Sequence, residues 1–112
     1  MTPADQRTAA LAIANERRAR AAAVRRRVHD RELSVTDVLE HDDLLDQART
    51  LRVATLLRAA PYVGPDRAQR ILRRARVDGD LRLGDLEHRP HARARLADAY
   101  VALQPPSSRS AA

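Results

Sequence analysis

The residues of this 112-residue chain best suited to chemistry are arginines set behind a tight turn. Tyr62-Val63-Gly64 reads as the turn, and Arg67, Arg70, Arg73 and Arg74 follow it on a helix beginning at Pro65. Pro61 ends the helix before the turn, because it has no N–H and disfavours helical geometry at Ala60. Gly64 is expected to supply the backbone freedom. Pro65 suits the first position of a helix, and Asp66 lies where a carboxylate favours the positive end of the helix dipole. The amides of Gly64 and Asp66, open at such a helix start, can receive a phosphate. Guanidinium groups directly behind them point to the phosphates of a nucleic-acid backbone.

Other chemistries find little footing. The chain has no Cys, which excludes a thiol nucleophile, a disulfide and a Cys-type zinc site. His88 and His91 stand three apart with no third ligand in view, and His41-Asp42-Asp43 reads as a solvated turn. No catalytic residue, metal or cofactor is expected, and the chain is not expected to be an enzyme. No apolar run approaches the ~18 residues of a membrane span. No basic start followed by an apolar block marks a signal peptide, so a cytoplasmic location is expected. The net charge is +6, and all 21 basic residues are Arg. GC-rich codon usage accounts for Arg in place of Lys but not for the clustering. Without Lys, no acetylation switch is available.

These residues need helices to carry them. With two Tyr and no Phe or Trp, the core must be Leu, Val, Ile and Ala. Closely approaching helices suit such a core, and no alternating apolar stretch bounded by turns suggests a strand. The expected class is all-α. Residues 1–33 are expected to form an Ala- and Arg-rich helix from about Asp5 to Asp30, free of Gly and Pro. At ~100° per residue its apolar face is weak, with Arg17 in its middle, Arg20, Arg27 and Arg31 on one flank and Arg18 and Arg25 on the other. Its N-terminal half is expected to project from the body or to order only on DNA, its arginines holding phosphates. The alternative is a solvated helix whose arginines pair with Glu16, Asp30 and Glu32.

Residues 34–103 are expected to form a compact helical domain. Ser34-Val35-Thr36-Asp37 is a capping box for a short helix. Leu44 and Leu45 anchor a further turn. Leu51, Val53, Ala54, Leu56, Leu57 and Ala60 line the helix before the hairpin, and Ala68, Ile71, Leu72 and Ala75 line the one after it. Val77 to Glu87 is turn-rich. Pro90 opens a last helix with Leu96, Ala99, Tyr100 and Leu103 inward. The acidic group around His41, with Glu40 and Asp46, should face away from any duplex. Residues 104–112 are expected to be a disordered tail.

Val63-Gly64-x-x-x-Ala68-x-x-Ile71 resembles the hairpin signature of helix-hairpin-helix and helix-two-turns-helix DNA-binding proteins. The order of the chain resembles the actinobacterial integration host factor family from Asp5 to Tyr100. It carries Gln6-Arg7-x-Ala9-Ala10-Leu11, then Arg17-Arg18-Ala19-Arg20-Ala21, Val38-Leu39, Leu51-Arg52-Val53-Ala54-x-Leu56-Leu57, and Pro61 to Ile71. The resemblance implies a helix-two-turns-helix domain. It further implies a sequence-tolerant double-stranded DNA-binding protein of the nucleoid that bends and condenses DNA and assists recombination with a phage integrase. A monomer and no membrane partner are expected. Carried over, the DNA-binding residues are Val63, Gly64, Asp66, Arg67, Arg70, Arg73 and Arg74, with Arg82 in a second DNA-facing loop and the N-terminal arginines beside them. The chain departs from the family at Tyr62, where a first Gly is usual, at Pro65-Asp66, where a basic residue is common, and in the 77–87 loop, where Arg82 alone remains of a basic run. Tyr62 can pack under the hairpin or offer its hydroxyl to a phosphate, and packing is the expectation. Three other readings stand beside it. One is a structured-RNA or ribosome-associated module, which the missing aromatics disfavour only for single strands. A second is a base-excision enzyme, for which the nucleophile and extra domains are missing. The third is a salt-insensitive helical adaptor.

Overall fold

The computed structural model describes residues 2–104. The expected tail lies outside the described residues except for Gln104. The molecule is all-α. Its order is α1 (Pro3–His29), α2 (Val35–Glu40), α3 (Asp42–Gln47), α4 (Val53–Ala59), α5 (Pro65–Ala75), a 3-10 helix (Leu83–His88) and α6 (Pro90–Ala102).

Helix α1 begins earlier than its composition suggests, because Thr2 and Asp5 form a capping box. The Asp5 amide donates to Thr2 Oγ1 at 3.2 Å, and Pro3 takes the first helical position. The Ser34 box is present as expected: the Asp37 amide donates to Ser34 Oγ at 3.0 Å, and the Ser34 amide donates to Asp37 Oδ2 at 2.9 Å. Between them, α1 ends on Arg31, which is left-handed at φ 65°, while the amides of Glu32 and Leu33 both reach the Arg27 carbonyl.

The core is aliphatic. Val24 and Val28 of α1 meet Val38, Leu39, Leu45, Leu56, Leu57, Ile71, Leu83, Leu86 and Leu96. Only the last third of α1 takes part. Residues 3–20 contain no buried side chain, and they form an arm that gives the molecule its 57 Å long axis against 27 and 24 Å across. At ~1.5 Å per residue the arm is about 27 Å long.

Helix α4 starts at Val53 rather than Leu51 because a distant loop claims that stretch. The amides of Val53 and Ala54 donate to the carbonyls of Leu81 and Gly79, and the Leu83 amide donates to the Leu51 carbonyl. Arg52 and Arg82 thereby form an isolated antiparallel bridge. Gly79 permits the approach: a Cβ there would lie 2.8 Å from Leu72 Cδ1 and 3.1 Å from Ala54 Cβ. Two arginines serve the fold. Arg93 of α6 donates from Nε to the Leu39 carbonyl and pairs with Asp42 at 2.8 Å. Arg95 Nε donates to the Ala75 carbonyl at 2.9 Å, satisfying an orphan acceptor at the end of α5.

Candidate nucleic-acid interface

The hairpin between α4 and α5 differs from its expected build. Ala60 is extended ahead of Pro61, as the ring demands. The left-handed residue is Tyr62, at φ 70°; Gly64, at φ −86°, is in a conformation open to any residue. Gly64 is therefore not the source of the turn's freedom. Tyr62 takes the glycine-like conformation itself, at a cost of about 1–2 kcal/mol. Nor does Tyr62 pack under the hairpin, since it is 67 % exposed. Two arginines hold it. Arg31 Nη2 donates to its hydroxyl at 2.5 Å with the guanidinium 4.9 Å from the ring centroid, and Arg67 Nη1 donates to its carbonyl at 3.1 Å. Val63 is buried and anchors the turn from within.

Helix α5 starts without a side-chain cap. The Ala68 amide is the first to find a helical acceptor, on Gly64. The amides of Gly64, Asp66 and Arg67 meet no acceptor among the described residues, and a Cβ added at Gly64 would meet nothing within 4 Å. Ala68, Ile71, Leu72 and Ala75 face the core, so Arg70 and Arg74 stand outward on the exposed side.

The N-terminal arginines divide. Arg17, Arg18 and Arg25 line a groove between α1 and the α3–α4 connection, together with Thr50, Leu51 and Arg82. Arg82 is drawn there by its bridge to Arg52 and by Nη1 donating to the Thr50 carbonyl at 2.5 Å. Instead of heading a separate basic loop, Arg82 closes the same trough as α1. The trough continues through Arg25 into a cleft between α1 and α4 lined by Arg26, His29, Arg52, Thr55, Arg58 and Asp80. Arg20 and Arg27 lie on the other flank of α1. There the solvated-helix alternative holds: Arg20 pairs with Glu16 at 2.6 Å and Arg27 with Glu32 at 3.4 Å. Arg73 also stands apart, in a shallow groove with Arg76, Asp78 and Asp80.

Reading the sequence missed Arg26, Arg52 and Arg58 as members of this surface. Their types were visible, but only the docking of α4 on α1 faces them across one cleft. Among the described residues, the guanidinium groups of Arg17, Arg18, Arg25, Arg26, Arg31, Arg58, Arg70, Arg74 and Arg82 have no carboxylate within 4.0 Å; that of Arg52 reaches Asp80 at 4.0 Å. The acids gather elsewhere: residues 34–48 hold five acids and no arginine, and Asp42 and Asp46 are engaged by Arg93 and Arg49. Arg31 on Tyr62 joins the end of α1 to the hairpin, so trough, cleft and open amides follow one another around α1, α4 and α5. Such a surface can take a series of anionic oxygens. Among the described residues no group of three His, Cys, Asp or Glu could hold a metal. Among the described residues no helix is long and apolar enough to cross a membrane. Compared with known proteins, the chain matches no family model, no curated protein and no solved structure.

Proposed function

We propose that the chain is a sequence-tolerant double-stranded DNA-binding protein, a nucleoid-associated protein of the integration host factor type that its sequence resembles. The observation that carries the reading is the continuity of unpaired arginines from the α1 trough through the α1–α4 cleft to the open amides of α5. Arginine forks onto phosphate, and helix-start amides complement it. Phosphate contacts position a protein without reading sequence. Bending and condensation of DNA, and assistance to an integrase, follow from the same resemblance and belong to the proposal, as does a place in the nucleoid.

The test is a salt titration of binding to unrelated duplexes of about 30 base pairs, with structured RNA as competitor. With about six phosphates neutralised, affinity should fall on the order of 10³-fold between 50 and 200 mM salt. Arg25→Ala, Arg70→Ala and Arg74→Ala should each weaken binding to all sequences alike and reduce the salt slope by about 1. Arg20→Ala, on the paired flank, should change little. Unchanged binding in the first three variants, or stronger competition by RNA than by duplex, would overturn the proposal.

A further inference from the structure

The cleft between α1 and α4 brings Arg25 and Arg26 of the first helix opposite Arg52 and Arg58 of the second. Arg52, Thr55 and Arg58 recur at three-residue steps from the N-cap of α4, so they share one side of that helix. Ala54 and the buried Ala59 complete that wall. The space between the walls is about 680 Å³. That lies inside the roughly 300–1,000 Å³ of small-molecule sites.

Four cations on two packed helices repel one another, and the fold does little to offset this. Among the described residues the guanidinium groups of Arg25, Arg26 and Arg58 have no carboxylate within 4.0 Å, and Asp80 reaches Arg52 only at 4.0 Å. On the other flank of α1, Arg20 and Arg27 both have acidic partners. The unbalanced charge therefore belongs to the cleft and not to α1 as a whole. It suits an anion of matching charge density. A triphosphate carries about four negative charges on three directly linked groups, whereas a nucleic-acid strand carries one per ~3.4 Å of axis. Guanidinium groups on opposite walls can fork onto the oxygens of such a chain, and the Thr55 hydroxyl can donate between them. The lining holds no aromatic face on which a base could stack.

We propose that the α1–α4 cleft is a binding site for a compact polyphosphate, recognised through its linked phosphates and not through a base. Arg26 and Arg58 are its principal ligands, one from each wall. Arg25 is shared with the neighbouring trough, and Arg52 is drawn toward Asp80, whose carboxylate opposes the ligand. This site goes beyond the duplex-binding reading and does not depend on it. Where both hold, polyphosphate and duplex compete for Arg25.

The test is calorimetric titration of the full chain with sodium triphosphate at low salt, with no nucleic acid present. Triphosphate should bind one per chain and at least about tenfold more tightly than orthophosphate. A nucleoside triphosphate should bind within about threefold of it, since the base adds nothing. Arg26→Gln and Arg58→Gln should each weaken triphosphate about tenfold and melt within about 3 °C of the parent. Each serves should the other fold poorly. Arg20→Gln removes the same charge from the paired flank and should bind as the parent does. Asp80→Asn should bind about threefold more tightly. At ten times its Kd, triphosphate should raise the parent's melting temperature by about 5 °C. Affinity no better than that of orthophosphate overturns the site. So do equal losses in Arg20→Gln and the cleft variants, or no gain from Asp80→Asn. A nucleoside triphosphate bound about tenfold more tightly than triphosphate overturns recognition through phosphates alone. Failure here leaves duplex binding standing, and parent-like duplex binding by Arg70→Ala and Arg74→Ala leaves the cleft standing.

Discussion

Two glycines and a tyrosine show how differently single positions constrain this chain. A Cβ at Gly79 would collide with Leu72 and Ala54 at 2.8 and 3.1 Å, whereas one at Gly64 would meet open space. Gly79→Ala should therefore lose about 1–3 kcal/mol through overpacking. Gly64→Ala should stay within about 0.5 kcal/mol of the parent in thermal unfolding. If Gly64 is where a phosphate approaches the backbone, Gly64→Ala should nonetheless bind duplex more weakly. Tyr100 supplies a second check. Burial raises its phenol pKa above the ordinary value, and the Gln104 side chain pulls it back in part. A raised folded pKa means the neutral phenol is what the fold prefers. Its contribution is complete below the unfolded value near 10 and is lost as pH rises through the folded one. Chemical denaturation should show stability declining from about pH 10 upward, with a shallower decline in Tyr100→Phe. Side-chain chemistry of this kind was legible in the sequence. The residue bearing the positive φ was not, because Gly64 was the natural choice and the clamp on Tyr62 comes from Arg31 and Arg67 through tertiary contact.

At the scale of elements, apolar periodicity located α4 and α5, composition located α1 and the Ser34 box located α2, whereas the 3-10 helix at Leu83–His88 falls in a stretch that reads as turn; Pro61, Pro65, Ser34 and Pro90 marked real boundaries. The boundaries that moved did so for reasons outside the local pattern. Val53 opens α4 because the carbonyls of Leu81 and Gly79 satisfy its first amides. The site divides in the same way. That arginines cluster on α1 and α5 was visible, but Glu16 and Glu32 decide which of them are engaged, and the course of the 79–83 loop decides where Arg82 goes. Helix α1 is the least uniform element. Only Ala21, Val24 and Val28 are buried, so the arm has little beyond its cap and local propensity to hold it, and isolated helices of this length are marginal in water. Amide hydrogen exchange should show residues of the arm opening far more readily than the segment around Val24 and Val28. Addition of duplex should slow exchange in the arm near Arg17 and Arg18. Uniform protection along all of α1 would contradict this division.

Across the whole molecule, charge is sorted by element. α1, α4 and α5 carry most of the unpaired arginines, while α2, α3 and the 3-10 helix carry most of the acids not tied to α1. A polar distribution of this kind orients a protein as it nears a polyanion and makes the approach salt-dependent. Neutralising Glu40 and Asp43, which are exposed and have no ion pair among the described residues, should raise the association rate modestly at low salt without changing the salt slope of the equilibrium constant. A changed slope would place the acidic elements in the contact surface. The bridge from Arg82 to the Thr50–Arg52 segment carries one more consequence. It joins groups 32 residues apart. A chain still emerging during synthesis has α1, α4 and α5 in hand, with most of its arginines, before the segment that shuts the trough exists. Its hold on polyanions at that stage is that of a loose basic peptide, and the shaped receptor arrives only with the loop that docks last.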